Sequence, residues 1–250
     1  MTVADIYSFF DGFAPFAEKA EWDNSGLIVG DINRVVTKAV VALDITEEEL
    51  SLAVKSGAQL IISHHPVIFH AQKDFIKGSI AFELAANSIS ALCAHTNLDK
   101  APGGVNDALC EKLGLPYDKL PDAADGFLNV IYAENGYTPA EFAALLRDKL
   151  AACVRYCCAS SEIKKIGVCS GAGSEFVPAA AQLSCDAFLT GDASYHNFLD
   201  AHSMGVSLFA AGHFETENII IEALIKKLRA NFKDIEFLAS PRKNPVLTVI

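Results

Sequence analysis

Leu60-Ile61-Ile62-Ser63-His64-His65-Pro66 decides how this chain is read. An apolar run ends abruptly in two adjacent histidines and a proline. A short apolar run of this kind reads as a buried strand. Pro66 has no backbone N–H and continues neither a ladder nor a helix, so the chain turns there. Two imidazoles then stand at the C-terminal end of a strand, where open α/β sheets keep their ligand sites. Side chains alternate faces along a strand, so both rings converge only where the strand has ended. The expectation is half of a metal site, with the other half supplied elsewhere in the chain.

Working outward, strands and helices alternate. Residues 39–43 are apolar throughout and end in Asp44-Ile45-Thr46. Thr46 is a good helix N-cap, and Glu47, Glu48 and Glu49 fall in the first turn, where the helix dipole favours acids. That helix is expected to run to about Ser56 and stop at Gly57. After the histidine pair come a helix over roughly 75–87 and a strand over 89–94 ending in His95-Thr96-Asn97-Leu98-Asp99. Pro102-Gly103-Gly104 then opens a helix over 105–113. This order is that of a mainly parallel sheet with helices on its faces. Upstream, Ile6, Phe9, Phe10 and Phe13 have helical spacing, and Trp22-Asp23-Asn24-Ser25-Gly26 leads into a short strand. Asp23 and Asn24 either point into a site or make the turn, and the turn is the commoner use of such residues.

The whole chain sets bounds. Its 250 residues suit one large domain or two small ones. At 51% apolar with a mean hydropathy of +0.27, it has ample material for a core. No apolar run reaches the ~18–20 residues needed to cross a bilayer. The first eighteen residues carry Asp5 and Asp11 and no basic n-region, and do not read as a signal peptide. Net charge is −11, with 31 acids against 20 bases. The basic clusters are Lys226-Lys227-Arg229 and Arg242-Lys243, not the stripe a nucleic-acid binder shows, so nucleic acid is disfavoured as a partner. The seven cysteines form no CxxC pair and read as reduced, mostly buried thiols of a cytoplasmic protein.

Residues 116–126, rich in proline, aspartate and glycine, are the best linker, giving lobes of 1–124 and 125–250. Beyond it, strands are expected at 127–132, 166–169, 187–189 and 206–211, with a further candidate at 154–158. Helices are expected at 139–152, 175–183 and 195–202, and a long one from Gly212-His213-Phe214-Glu215-Thr216-Glu217 to about Arg229. Short strand candidates at 235–238 and 246–250 are placed to return to the first lobe. Ser170-Gly171-Ala172-Gly173 lacks the third glycine and the acidic ribose partner of a dinucleotide fingerprint, and reads as a tight turn. The halves echo each other. Val40-Val41-Ala42-Leu43 matches Ile166-Gly167-Val168-Cys169, and Ile62-Ser63-His64-His65 matches Leu189-Thr190-Gly191-Asp192. Cys93-Ala94-His95 matches Ala211-Gly212-His213, and Asp99 then matches Glu217. The expected fold is α/β: two similar lobes from an internal duplication, each a mainly parallel sheet flanked by helices.

If the lobes face each other, their strand ends offer His64, His65, His95 and Asp99 from one and His213 and Glu217 from the other. Imidazole with carboxylate suits Zn, Fe, Mn, Ni or Co. So many donors exceed one tetrahedral ion and suit two divalent ions bridged by a carboxylate and a water. His213 and Glu217 lie one helical turn apart and face the same way, although Glu217 also reads as a plain N-terminal helix acid. His95 either ligates or supports a ligand. Asp44, Asn97 and Asp192 are candidates to hold ligands or handle protons. His70, His196 and His202 read as solvated or structural, with His196 the one that can alternatively line the pocket.

Six motifs in order carry a resemblance: Trp22-Asp23-Asn24-Ser25-Gly26-Leu27 with Gly30, Ala42-Leu43-Asp44, Ser63-His64-His65-Pro66, His95-Thr96-Asn97-Leu98-Asp99, Thr190-Gly191-Asp192 and Gly212-His213-Phe214-Glu215-Thr216-Glu217. On these the chain resembles the Nif-three-like proteins, also filed as GTP cyclohydrolase I type 2 homologs, in their short form without an inserted domain. The resemblance implies a dinuclear site with His64, His65, Asp99, His213 and Glu217 as ligands, Glu217 bridging. It also implies a ring-shaped homohexamer. The leading functional expectation is a metal-dependent hydrolase acting on a small molecule, a nucleotide or related heterocycle, by ring opening of the GTP cyclohydrolase kind. The alternative is a metal-holding or metal-delivery scaffold without turnover.

Overall fold

The computed structural model describes residues 1–246. Among them the chain forms two compact units, one of Met1–Pro102 with Ile220–Lys243, the other of Gly103–Ile219 with 244–246. The boundary expected at 124/125 lies inside the second unit. The helix preceding it is stitched to that unit's sheet: the Asn106 amide donates to Phe127 O at 3.1 Å, its carbonyl accepts from Ser170 N at 2.8 Å, and Asp107 accepts from Lys119 Nζ at 2.7 Å and Asn129 Nδ2 at 3.0 Å.

The first unit contains strands β1 (Gly26–Val29), β2 (Lys38–Ala42), β3 (Leu60–Ser63) and β4 (Ser90–Cys93), and helices α1 (Val3–Phe13), α2 (Glu47–Ser56), α3 (Ile80–Ala86) and α4 (Thr96–Lys100). β3 lies between β2 and β4, parallel to both, with Ala42 opposite Ser63 and Ser63 opposite Cys93. A strand with neighbours on both sides and helices over its face is buried throughout, and all four residues of β3 are buried. Val40, Ile61 and Ala91 sit side by side across the sheet and pack with Ala53 of α2 and Leu84 of α3. The larger of these, Val40, Ile61 and Leu84, each contribute about 1.5–3 kcal/mol. α2 begins and ends where the sequence predicts. Thr46 and Glu49 form a capping box, and Gly57 takes the left-handed φ of +70° that closes the helix. α3 is shorter than expected, because Ser79 caps it and Gly78, at φ +97°, breaks the chain before it.

The second unit contains β5 (Tyr117–Lys119), β6 (Asn129–Tyr137), β7 (Arg155–Tyr156), β8 (Ile163–Val168), β9 (Ala187–Thr190) and β10 (Ser207–Ala210), with helices α5 (Val105–Leu113), α6 (Pro139–Leu150), α7 (Val177–Gln182), α8 (Tyr195–Ser203) and α9 (His213–Glu217). Its sheet runs β5-β6-β8-β9-β10-β7. Alternation along the strands covers both faces. Ala187, Leu189 and Phe209 pack with Phe142 and Leu146 of α6, while Phe188, Leu208 and Ala210 pack with Ala180 of α7 and Ala201 of α8. The chain then returns to the first unit through α10 (Ile219–Asn231) and β11 (Glu236–Ala239), which extends the first sheet to β1-β4-β3-β2-β11. Asn218 separates α9 from α10, where the sequence predicts one long helix. The strand candidate at 246–250 falls, past its first residue, outside the described residues.

Both sheets are mixed and share a repeat. In each, three parallel strands lie side by side in chain order, β2-β3-β4 and β8-β9-β10, and the strand that precedes them in sequence pairs antiparallel with the last. The ladder shifts the echo by one residue at its last element. Ser63 is opposite Cys93 and Thr190 opposite Ala210, and the next bonds are Ala94 N to Ser63 O and Ala211 N to Thr190 O. His95 therefore corresponds to Gly212, each the N-cap of a short helix, and His213 stands one position later.

Candidate metal centre

Backbone bonds hold the histidine pair at the end of β3. His64 N donates to Ala42 O at 3.1 Å and His65 N to Leu43 O at 2.9 Å, so the ladder continues while the chain turns. The Ser63 hydroxyl donates to His65 O at 2.7 Å, and the Cys93 thiol to His64 O at 2.9 Å. Burial pushes that thiol's pKa well up. His64 is wholly buried and His65 half-buried. The rings of His64, His65 and His95 pack together with centroids 4.9, 5.1 and 5.4 Å apart. One ligand atom from each of the three lies within 4.8 Å of the others.

The same nitrogen is engaged in every case. His64 Nδ1 donates to Ala94 O at 3.0 Å, His65 Nδ1 to Asp44 Oδ1 at 2.9 Å, and His95 Nδ1 to Asp23 Oδ1 at 2.9 Å. A carbonyl or a carboxylate only accepts, so each Nδ1 carries the hydrogen and the neutral ring keeps its lone pair on Nε2. His64 Nε2 lies 3.5 Å from Asp99 Oδ1. Fixing the tautomer from behind is how proteins present a metal-binding imidazole. Three Nε2 donors with a nearby carboxylate fit a divalent cation of the kind imidazole and carboxylate select.

Asp23 is a residue that the sequence left open between a site and a turn, the turn being the commoner use. It is buried and accepts from His95 Nδ1, Ser25 Oγ at 2.6 Å and Thr96 Oγ1 at 2.6 Å. Burial works to raise its pKa, but the bonds from His95, Ser25 and Thr96 outweigh this and hold the carboxyl well below the usual range. Its place in the Trp22–Leu27 motif was the available signal. Asn97 serves the backbone instead: its amide donates to Ala14 O at 2.6 Å and its carbonyl accepts from His95 N at 3.1 Å, which shapes the turn that carries His95. Asp44 also faces Arg242, with Nη1 3.4 Å from Oδ2. His70, His196 and His202 are exposed.

In the second unit, His213 opens α9. Its Nδ1 donates to Asp192 Oδ2 at 2.7 Å, and its Nε2 lies 3.0 Å from Glu217 Oε2 one turn on. Burial alone would lower its pKa, but Asp192 and Glu217 together raise it to about 10. Without metal this ring carries a proton at neutral pH, and a cation taking Nε2 would displace it. Two glycines make the room. A Cβ on Gly171, at φ +57°, would stand 2.0 Å from Glu217 Oε1, and one on Gly191 would stand 2.7 Å from Gly171 O and 2.9 Å from His213 Cα. The Gly-rich turn after β8 is thus a cradle for the Glu217 carboxylate. Thr216 locks the same corner, accepting from Gly171 N at 3.1 Å.

The fold and these donors define a class: an α/β protein of two units whose strand ends and following helix start present histidines anchored through Nδ1 beside carboxylates that could bind a metal ion. The chain belongs to the Duf34/NIF3 (NGG1p interacting factor 3) family, whose model matches residues 1–245. It is 35% identical to a "GTP cyclohydrolase 1 type 2 homolog" of Clostridium perfringens, over 96% of each chain. Among solved structures it is similar to the Staphylococcus aureus hypothetical protein SA1388, at 29% identity and a TM-score of 0.92 over 100% of this chain and 99% of that one. It is also similar to reduced HcgD from Methanocaldococcus jannaschii, at 28% identity and a TM-score of 0.84 over 97% and 98%. Among the described residues no helix is long and apolar enough to cross a membrane.

Proposed function

We propose that this chain is a metal-dependent hydrolase in which His64, His65, Asp99, His213 and Glu217 would hold two divalent ions, with His95 as a further ligand or a support for one, and which acts on a nucleotide or related heterocycle. The observation that carries the reading is the common anchoring of Nδ1 in His64, His65, His95 and His213. Histidines kept only for packing have no reason to share one anchored nitrogen, whereas ligating histidines, held from behind, do. Divalent ions held there would supply a water of lowered pKa and offset negative charge developing on the substrate. The protein's own contribution is to orient. Asp44 fixes the His65 ring, the Ala94 carbonyl fixes His64, Asp192 fixes His213, and Gly171 leaves space for Glu217. The name shared by curated relatives supports a nucleotide or fused heterocycle as substrate. A ring-shaped homohexamer belongs to the same proposal.

The test is to load purified protein separately with Mn, Fe, Zn, Ni or Co, count metal by mass spectrometry, and screen GTP and other cyclic amide and phosphate substrates. Two ions per chain and turnover lost in His65→Ala are expected. Turnover absent with every metal, or unchanged in His65→Ala, overturns the hydrolase reading. Light scattering on the same sample tests the hexamer.

A further inference from the structure

Two aromatic side chains beside the histidine cluster are exposed where burial would be expected. Trp22 is 62% exposed and Phe69 46%. Their ring centroids are 5.8 Å apart at an interplanar angle of 43°, an open wedge rather than a stack. Both meet the ring of His95 edge-on, at 5.9 Å from Trp22 and 6.1 Å from Phe69. His95 in turn packs on His64 and His65. The wedge therefore stands one ring away from the clustered imidazole donors.

These rings are not on loose chain. Trp22 directly precedes Asp23, whose N–H donates to Ala20 O at 2.9 Å and whose carboxylate takes bonds from Ser25, His95 and Thr96. Phe69 directly follows Ile68, whose carbonyl accepts from the Asn24 amide at 2.7 Å, joining the two aromatic-bearing segments. Isolated exposed apolar side chains are ordinary. Two large aromatics converging on pinned backbone beside a donor cluster are a pre-organised surface, and pre-organisation is what lowers the cost of binding.

We propose that Trp22 and Phe69 form the specificity subsite of this centre, a wedge that stacks a planar heterocyclic ring of the ligand, so that the ring rather than a phosphate is the main recognition element. The proposal rests on the metal-site reading only for where the chemistry lies. Aromatic faces hold flat rings by stacking worth severalfold to more than a hundredfold in affinity per ring, and they offer nothing comparable to a sugar phosphate.

Trp22 is the single tryptophan of the chain, so intrinsic fluorescence reports this position alone. Zinc-loaded protein is titrated with guanosine and with ribose 5-phosphate, and affinities are checked by calorimetry. Guanosine is expected to quench Trp22 saturably, and ribose 5-phosphate neither to quench nor to compete. Trp22→Leu and Phe69→Leu should each weaken guanosine about tenfold or more while zinc content stays at the wild-type level. Both positions are exposed, so neither variant is expected to unfold. Unchanged guanosine affinity in both variants overturns the proposal, as does ribose 5-phosphate binding as tightly as guanosine. An emission that shifts only on dilution overturns it too, because a second copy of the chain would then cover the wedge. Saturable quenching in protein that takes up none of Mn, Fe, Zn, Ni or Co would sink the metal reading and leave the aromatic subsite standing.

Discussion

At the end of β3 stand His64 and His65; at the end of β9, the same place in the second repeat, stand Gly191 and Asp192. The scaffold is one, but the chemistry is divided differently. In the first unit the middle strand delivers the imidazoles, and the supporting carboxylate, Asp44, comes from the end of β2. In the second the middle strand delivers the supporting carboxylate, Asp192, and the imidazole comes from the helix after β10. The swap has a steric cause. Gly191 lies so near Gly171 O and the backbone of His213 that no side chain fits where His64 stands in the first unit. A repeat thus conserves where functional groups are presented without conserving which group is presented.

The largest effect that bears on this contrast is expected at Asp23, which has no counterpart in the second unit's site. Asp23→Ala leaves the buried donors of His95, Ser25 and Thr96 without their shared acceptor, and should cost about 3–5 kcal/mol in urea unfolding of metal-free protein. A loss below about 1 kcal/mol would show that the site is not built around this carboxylate. Next come the two supporting carboxylates. Asp44→Ala and Asp192→Ala should each weaken metal binding about 10- to 100-fold, measured by competition with a chromophoric chelator. Asp44 should show the larger loss, because Asp192 is the more exposed of the two. Equal losses would mean that exposure does not separate the repeats.

The smallest effect is the pH dependence of metal-free protein, and here the units should differ in sign. The pKa of His213 is raised in the folded state to about 10. Its stabilisation is therefore complete below the unfolded value near 6.5 and lost as pH rises through about 10. Asp23 is depressed, so its stabilisation is present above the unfolded value near 4 and lost as pH falls below it. His213→Gln should flatten the alkaline limb of a stability–pH curve and Asp23→Asn the acid limb. A His213→Gln curve that still falls between pH 7 and 10 with the wild-type slope would contradict the assignment.

Much of the fold was legible because its signals are local. The apolar run through Ile62, the Thr46 cap with its glutamates, and Gly57 specify β3 and α2 through burial, capping and backbone freedom, which act within a few residues. The histidine pair stood out as donor residues where a strand stops, and Asp99, His213 and Glu217 by their spacing in the short helices that follow one. Three things were not legible. The side chain of Asp23 is committed to His95 and Thr96, seventy-odd positions away, and turn chemistry at Asp23-Asn24 looks the same whether or not such a partner exists. The one-residue shift that sets His95 against Gly212 is fixed by ladder register, which sequence matching of similar residues does not see. The orientation of each histidine ring depends on which acceptor the fold brings behind its Nδ1. The sequence by itself determined which groups are available and on which strand ends they sit. Only the tertiary structure decided how each ring is held, because orienting an imidazole takes a second group from a distant part of the chain.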